Sequence, residues 1–239
     1  MPDFTEQLAM HLQAWQLAGV QYVPKAGPVP EGYFAQHAHV EEVEAVDPLA
    51  ERRQAMQVLA KAVATCEACR GLFSTRTQPV FGIGPVGAEL CILGIAPSVA
   101  DDAAALPFQG EPGSTLDKML AWMGIAREEV YLSSVVKCLP PGRVPNDAEV
   151  KNCQGHLQAQ LQQVQPKFIL CMGELAAQSL LNVPGNLESL RGKLHQAGET
   201  PVVCTYHPAD MIRQPKLKTG CLEDLKLLLK TMGRKLPER

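Results

Sequence analysis

Four of the eight cysteines have a spacing that could hold a metal centre. Cys66 and Cys69 form a C-x2-C pair, and fourteen residues separate Cys138 from Cys153. Two pairs of thiolates could bind a [4Fe–4S] cluster or a Zn²⁺ ion, and two pairs of free buried cysteines are the alternative. The other four fall in apolar strands or an amphipathic helix and are interpreted as small core residues: Cys91, Cys171, Cys204 and Cys221.

A second group of residues could form a pocket for something flat and polar. The segment 91–110 reads CILGIAPSVADDAAALPFQG, in which an apolar strand is followed by Asp101, Asp102 and Phe108. His207 follows another apolar strand, in TYHPA. Each has a simpler interpretation: the aspartates as a solvated helix start, the phenylalanine as packing, and the histidine as a turn residue.

Alternating strands and helices must position these residues. Apolar strands are predicted at 88–95, 130–137, 167–173 and 201–208. Amphipathic helices are predicted between and around them, at 114–124, 147–164, 174–182 and 219–232, after a first helix that starts at Asp47-Pro48. This alternation predicts an α/β fold of three layers, a parallel sheet with helices on both faces. Ligands of such sheets bind beyond the carboxyl ends of the strands, where the candidate pocket residues fall.

Length and composition narrow the class of protein. The chain has 239 residues, of which 46% are hydrophobic, so a sizeable core is available. Its apolar runs are too short for a membrane span, and its N-terminus does not resemble a signal peptide, so a cytoplasmic protein is expected. Residues 1–60 carry eight acidic and three basic residues, and the remainder is close to neutral. Bulk charge therefore gives no strong nucleic-acid signature.

The N-terminal part differs in character from the rest. Residues 5–17 fit an amphipathic helix, and residues 26–47 are acidic, rich in Pro, Gly and Ala, and without periodicity. Three segments are predicted: an N-terminal helical peptide (1–25), a flexible acidic linker (26–47) and an α/β domain (48–239).

Residues 60–230 resemble the family 4 uracil-DNA glycosylases, which carry an iron–sulfur cluster. The similar motifs, in order, are CEACR, VFGIG, PFQG, REEVYLSSVVKCLPPGR, VQPKFILCMG, RGK and TYHPA. The resemblance implies a uracil-DNA glycosylase fold and [4Fe–4S] ligands at Cys66, Cys69, Cys138 and Cys153. It also implies that Phe108 stacks on a flipped-out uracil and that His207 donates a hydrogen bond to the developing uracil anion.

The chain departs from the family's pattern at its catalytic positions. The acid of the family's GE loop is replaced by Ile95, and the amide of its TN motif by Ser134. An isoleucine cannot move a proton, and a serine cannot read the base edge with both a donor and an acceptor. Asp101 or Asp102 could stand in as the acid. The pocket is therefore expected to be a vestige of a uracil pocket, with discrimination between bases lost.

A second resemblance concerns the N-terminus. Residues 10–25, MHLQAWQLAGVQYVPK, resemble the N-terminal peptide of the psi accessory subunit of bacterial DNA polymerase III. The resemblance implies binding to the clamp-loader collar and to the chi subunit through Leu12, Trp15, Leu17, Val20 and Tyr22, with DNA as a weaker candidate partner. The first expectation is thus a non-catalytic scaffold subunit in DNA replication. The alternative is an active uracil-DNA glycosylase of base excision repair with altered catalytic residues.

Overall fold

The computed structural model describes residues 47–237. Five strands form one sheet: β1 (Leu90–Gly94), β2 (Tyr131–Ser134), β3 (Phe168–Met172), β4 (Leu194–Ala197) and β5 (Thr200–Thr205). The helices are α1 (Ala50–Ala64), α2 (Arg70–Phe73), α3 (Val99–Ala104), α4 (Gly110–Trp122), α5 (Asp147–Val164), α6 (Glu174–Leu181), α7 (Leu187–Leu190), α8 (Pro208–Arg213) and α9 (Leu217–Thr231), with a 3₁₀ turn at Arg127–Glu129.

The sheet has the strand order β2-β1-β3-β5-β4. The first four strands in this order are parallel, and β4 pairs antiparallel with β5 at one edge. The predicted three-layer α/β fold is confirmed, with an antiparallel edge strand that the sequence pattern did not predict. Because β1 and β2 are parallel neighbours, their carboxyl ends at Gly94 and Ser134 lie side by side.

The central strands β1, β3 and β5 are buried except at the first one or two residues of β3 and β5, as their apolar runs require. Cys91, Cys171 and Cys204 are fully buried in β1, β3 and β5, and Cys221 is buried in α9. All four belong to one hydrophobic core. Their interpretation as small core residues therefore agrees with where the structure places them.

The open edge of β2 is covered by the segment before β1. Ile83 forms an antiparallel bridge with Leu132, in which the backbone N–H and C=O groups of both residues pair. The N–H of Val80 donates to the carbonyl oxygen of Lys137 at 2.7 Å. Residues 80–83 thus bind the backbone of β2 and of the loop that follows it.

Within residues 47–237, none of the helices combines the length and the apolarity that crossing a membrane requires. The predicted N-terminal peptide, including Leu12, Trp15, Leu17, Val20 and Tyr22, lies outside the described residues, as does almost all of the predicted linker. These two segments stay predictions.

Candidate active site and cysteine site

The loops that follow β1, β2 and β5 enclose a cavity of about 70 Å³. Asp101, Phe108, Ser134 and His207, all predicted pocket residues, line it together. The rest of its lining is small or apolar: Val80, Gly94, Ala96, Pro97, Ser98, Pro107, Pro112 and Ala209. A mostly apolar cavity with a few polar groups is the usual form of a site for a small flat ligand.

Phe108 forms an aromatic wall of this cavity. Its ring stacks on His207 with the centroids 5.9 Å apart and an angle of 23° between the planes. Phe108 has a left-handed backbone (φ 55°) and is buried. Two glycines allow this placement: a Cβ on Gly94 would lie 2.9 Å from the tip of the ring, and one on Gly113 would lie 2.0 Å from the Phe108 carbonyl oxygen. The position of the ring is therefore specified by the backbone around it.

The two aspartates of α3 have different surroundings. Asp101 lines the cavity, and its two carboxylate oxygens accept hydrogen bonds from the N–H of Ser98 (2.8 Å) and of Gln109 (2.6 Å). Asp102 lies outside the cavity lining, where one of its oxygens accepts from the N–H of Thr77 at 2.9 Å and the other is buried without a partner. Asp101 is thus the aspartate that remains a candidate for the replaced acid, and it also fastens the Phe108 loop to α3.

His207 is a neutral hydrogen-bond donor in this arrangement. It begins α8, where its Nδ1 accepts from the N–H of Ala209 at 3.2 Å. An Nδ1 that accepts carries no proton, so the proton of the neutral ring is on Nε2. Burial lowers the pKa of His207, although the negative charges of Asp210 and Asp101 oppose the change. The imidazole is therefore neutral at physiological pH.

Ser134 stands at the end of β2 and is fixed at two points. Its hydroxyl donates to the carbonyl oxygen of Val136 at 2.8 Å, and its own carbonyl accepts from the buried ammonium of Lys137 at 2.7 Å. Burial lowers the pKa of Lys137 to about 8, although the neighbouring Cys153 and Cys91 thiols oppose this. The same ammonium donates to Ser133 Oγ, also at 2.7 Å.

Ile95, the other altered position, does not line the cavity. Its side chain packs so closely on Gly173 that a Cβ there would lie 2.7 Å from Ile95 Cδ1 and 3.6 Å from His207 Cβ. Gly173 has φ 96°, a conformation that favours glycine. Ile95 therefore packs on Gly173 beside His207, at the position where the family's pattern has an acid.

The four predicted cluster ligands line one small space between α1, α2, α5 and the loop after β2: Cys66, Cys69, Cys138 and Cys153. None of them is in a disulfide. Three of the four sulfurs accept hydrogen bonds, from Arg76 Nη1 to Cys138 (2.9 Å), from the N–H of Lys137 to Cys153 (3.3 Å) and from Asn152 Nδ2 to Cys69 (3.6 Å).

The four thiols are the type of donor that a [4Fe–4S] cluster or a zinc ion requires. Within residues 47–237, no three His, Cys, Asp or Glu side chains form a group that could hold a single metal ion. Hydrogen bonds to sulfur stabilise bound thiolates. Burial raises the pKa of Cys153 to about 11, so its thiol must lose a proton when it binds metal.

A buried ionic network lies behind the His207 loop, and sequence reasoning did not identify it. Asp224 in α9 is fully buried and accepts from Arg191 Nε (3.1 Å), Thr205 Oγ1 (2.8 Å) and the N–H of Gly192 (3.0 Å). The Arg191 guanidinium also stacks on the Tyr206 ring at 4.5 Å. This network holds the chain immediately before His207. The RGK motif at 191–193 was the sequence feature that could have indicated this network, but Asp224, the acidic partner of Arg191, is 33 positions away.

Similarity to known proteins agrees with this geometry. The family described as the uracil DNA glycosylase superfamily matches residues 81–226. A type-4 uracil-DNA glycosylase of Archaeoglobus fulgidus is 32% identical over 77% of this chain and 96% of its own length. The chain belongs to the uracil DNA glycosylase superfamily. Type-4 uracil-DNA glycosylases of Pyrobaculum aerophilum (34% identical, 71% of this chain and 91% of the relative) and Thermotoga maritima (31%, 73% and 93%) are also similar.

These similarities correct the functional prediction. The expected non-catalytic scaffold subunit of DNA replication is wrong, because this superfamily member is similar to several type-4 uracil-DNA glycosylases along most of its length. The alternative, an active glycosylase, has the better support. The resemblance of the N-terminus to psi, and with it the clamp-loader collar and chi as partners, is not tested by these comparisons.

Proposed function

We propose that this protein is a DNA glycosylase that excises uracil from DNA. The observation that carries the proposal is the cavity in which Asp101, Phe108, Ser134 and His207 meet. The similar proteins support the proposal, because they are described as type-4 uracil-DNA glycosylases. The reaction breaks the bond between N1 of uracil and C1′ of the sugar, and a water oxygen forms a new bond to C1′.

Phe108 and His207 act on the base in this proposal. The base leaves the helix and enters the cavity, where it stacks on the Phe108 ring. As the bond to C1′ breaks, its electron pair moves into the uracil ring and on to a carbonyl oxygen. His207 Nε2–H donates to that oxygen, and a donor of this kind contributes about 3–4 kcal/mol. A neutral histidine suits this role because it stabilises the anion without first protonating the base.

Asp101 supplies negative charge near the sugar. Both of its oxygens accept backbone N–H bonds, so the carboxyl group is held in place. A fixed carboxylate stabilises the positive charge that develops at C1′ and orients the attacking water through its remaining lone pairs. The water proton that is released ends on N1 of the departing uracil through solvent. Asp101 thereby performs the role of the family's loop acid, which the isoleucine at position 95 cannot perform.

Cys66, Cys69, Cys138 and Cys153 would hold the [4Fe–4S] cluster. When bound, the cluster supplies a covalent link between the segment 66–69 and the segment 138–153. Cys138 is four residues beyond Ser134, so this link would restrain the loop that forms one wall of the cavity. Iron and sulfide analysis of anaerobically purified protein tests this assignment, with four irons per chain expected. Replacing any one of these cysteines by serine should lower both the iron content and the melting temperature.

The function is tested by uracil excision from single- and double-stranded DNA, using anaerobically purified protein with its iron content measured. Excision by the wild type is expected, with a loss of about 10²-fold or more for His207→Asn. Lys193→Ala, at an exposed position outside the cavity, serves as the matched control and should retain wild-type activity. The proposal fails if folded wild-type protein containing its four irons excises no uracil from either substrate.

A further inference from the structure

The hydroxyl of Ser134 can accept a hydrogen bond from a bound base but cannot donate one. A serine hydroxyl has one proton and two lone pairs. The proton is committed to the carbonyl oxygen of Val136, because that oxygen can only accept. The lone pairs of Oγ are therefore all that remains free, and they can only accept a hydrogen bond.

The surrounding structure keeps the hydroxyl in this state. The Ser134 carbonyl is held by the Lys137 ammonium, and Ser134 itself is only 5% exposed. The N–H groups of Val135 and Val136 donate to the carbonyl oxygens of Gly94 and Ile95, at 3.0 and 3.1 Å. Turning the hydroxyl proton toward the cavity would leave the buried Val136 carbonyl without this donor, which is unfavourable.

Ser134 and His207 both line the cavity beside one aromatic wall, the first with a free acceptor on Oγ and the second with a free donor on Nε2. A carbonyl next to a ring N–H complements this pair, and uracil offers that combination at O2 and N3–H. We propose that Ser134 is a specificity-determining residue that selects bases by accepting a ring N–H and does not read the carbonyl at C4. This inference rests on the proposed function for the identity of the ligand as a base.

The test measures binding of free bases by NMR titration, so that it does not depend on catalysis. The probes are uracil, 3-methyluracil, which lacks the N3–H, and 4-thiouracil, which keeps the N3–H but has a poor acceptor at C4. For the wild type we expect 3-methyluracil to bind about tenfold more weakly than uracil, or worse, because Ser134 loses its donor. In Ser134→Ala the penalty for N3-methylation should shrink to about threefold or less.

The effect of 4-thio substitution is the matched control, and it should be the same in the wild type and in Ser134→Ala. Ser134→Cys, which keeps the side-chain size but accepts only weakly, provides the same comparison if the alanine variant does not fold. An equal N3-methyl penalty in wild type and variant would overturn the inference. So would a 4-thio effect that disappears in the variant, or a failure of all three bases to bind. The expected binding pattern without any excision would refute the proposed function and leave this inference standing.

Discussion

Replacing Asp101 and Asp102 by asparagine, one at a time, distinguishes the roles of two neighbouring carboxylates that look equivalent in sequence. Asp101 accepts a backbone N–H on each oxygen, whereas Asp102 accepts on one oxygen only. An asparagine at 101 can accept with its single oxygen, but its NH₂ group must then face the other backbone N–H. One buried donor is left without a partner, and two donors are brought together.

The magnitude follows from the bonds that are lost. A hydrogen bond to a charged group contributes about 1.5–3 kcal/mol, and an unsatisfied buried donor costs about 1–3 kcal/mol. Asp101→Asn should therefore lower the free energy of unfolding by about 2–4 kcal/mol. At position 102 the asparagine oxygen can keep the bond from Thr77, and its NH₂ takes the place of the oxygen that has no partner. Asp102→Asn should therefore cost about 1 kcal/mol or less.

Urea unfolding of the wild type and the two variants measures these differences, and uracil excision measures the second role of Asp101. Excision by Asp101→Asn should fall by about 10²-fold or more at temperatures where the variant is folded, because the charge near C1′ is lost. Excision by Asp102→Asn should stay within a few-fold of the wild type. Equal destabilisation by the two variants, or greater destabilisation by Asp102→Asn, would refute the reasoning from the two hydrogen-bond patterns.

Three further predictions concern the cavity and its support. Phe108→Leu keeps an apolar side chain but removes the ring, so kcat/KM for uracil excision should fall by about 5- to 150-fold, the loss of about 1–3 kcal/mol of base stacking. Burial lowers the pKa of His207, so this side chain binds a proton less readily in the native state than in the unfolded state. The melting temperature should therefore fall as the pH drops below about 6.5. This fall should be smaller in His207→Asn. An equal fall in both proteins would contradict that assignment. Arg191→Ala leaves the buried Asp224 carboxylate without its cation and should destabilise the protein by about 3–5 kcal/mol in urea unfolding, whereas the exposed Lys193→Ala should have little effect.

The sequence predicts the sheet well because its central strands are nearly continuous apolar runs. Strand β4 was missed since its sequence, LHQA, is short and half-exposed and has no apolar run. The strand predicted at 130–137 ends at Ser134, because the buried residues after it turn into the loop that carries Lys137 and Cys138. Apolar pattern alone does not distinguish a buried strand from a buried loop of this kind.

The candidate site was predicted by residue type but not by role. The sequence identified Asp101, Phe108, Ser134 and His207, and the structure brings all four to one cavity. It could not show that Asp101 faces the cavity and Asp102 does not. The bond from Ser98 to Asp101 is a local helix cap, but Gln109 and Thr77, the other partners of the two carboxylates, come from loops that only the folded chain brings near. Arg76, which donates to Cys138, was missed for the same reason: the two residues are 62 positions apart.

The cover that residues 80–83 place on β2 has a consequence for solubility. An uncovered edge strand exposes backbone N–H and C=O groups that can pair with the same edge of another molecule. Here Ile83 and Val80 occupy these groups, while the opposite edge ends in the short, polar strand β4. The sheet is therefore protected at both sides against edge-to-edge association. A deletion within 80–83 should therefore promote aggregation even where the cavity residues are untouched.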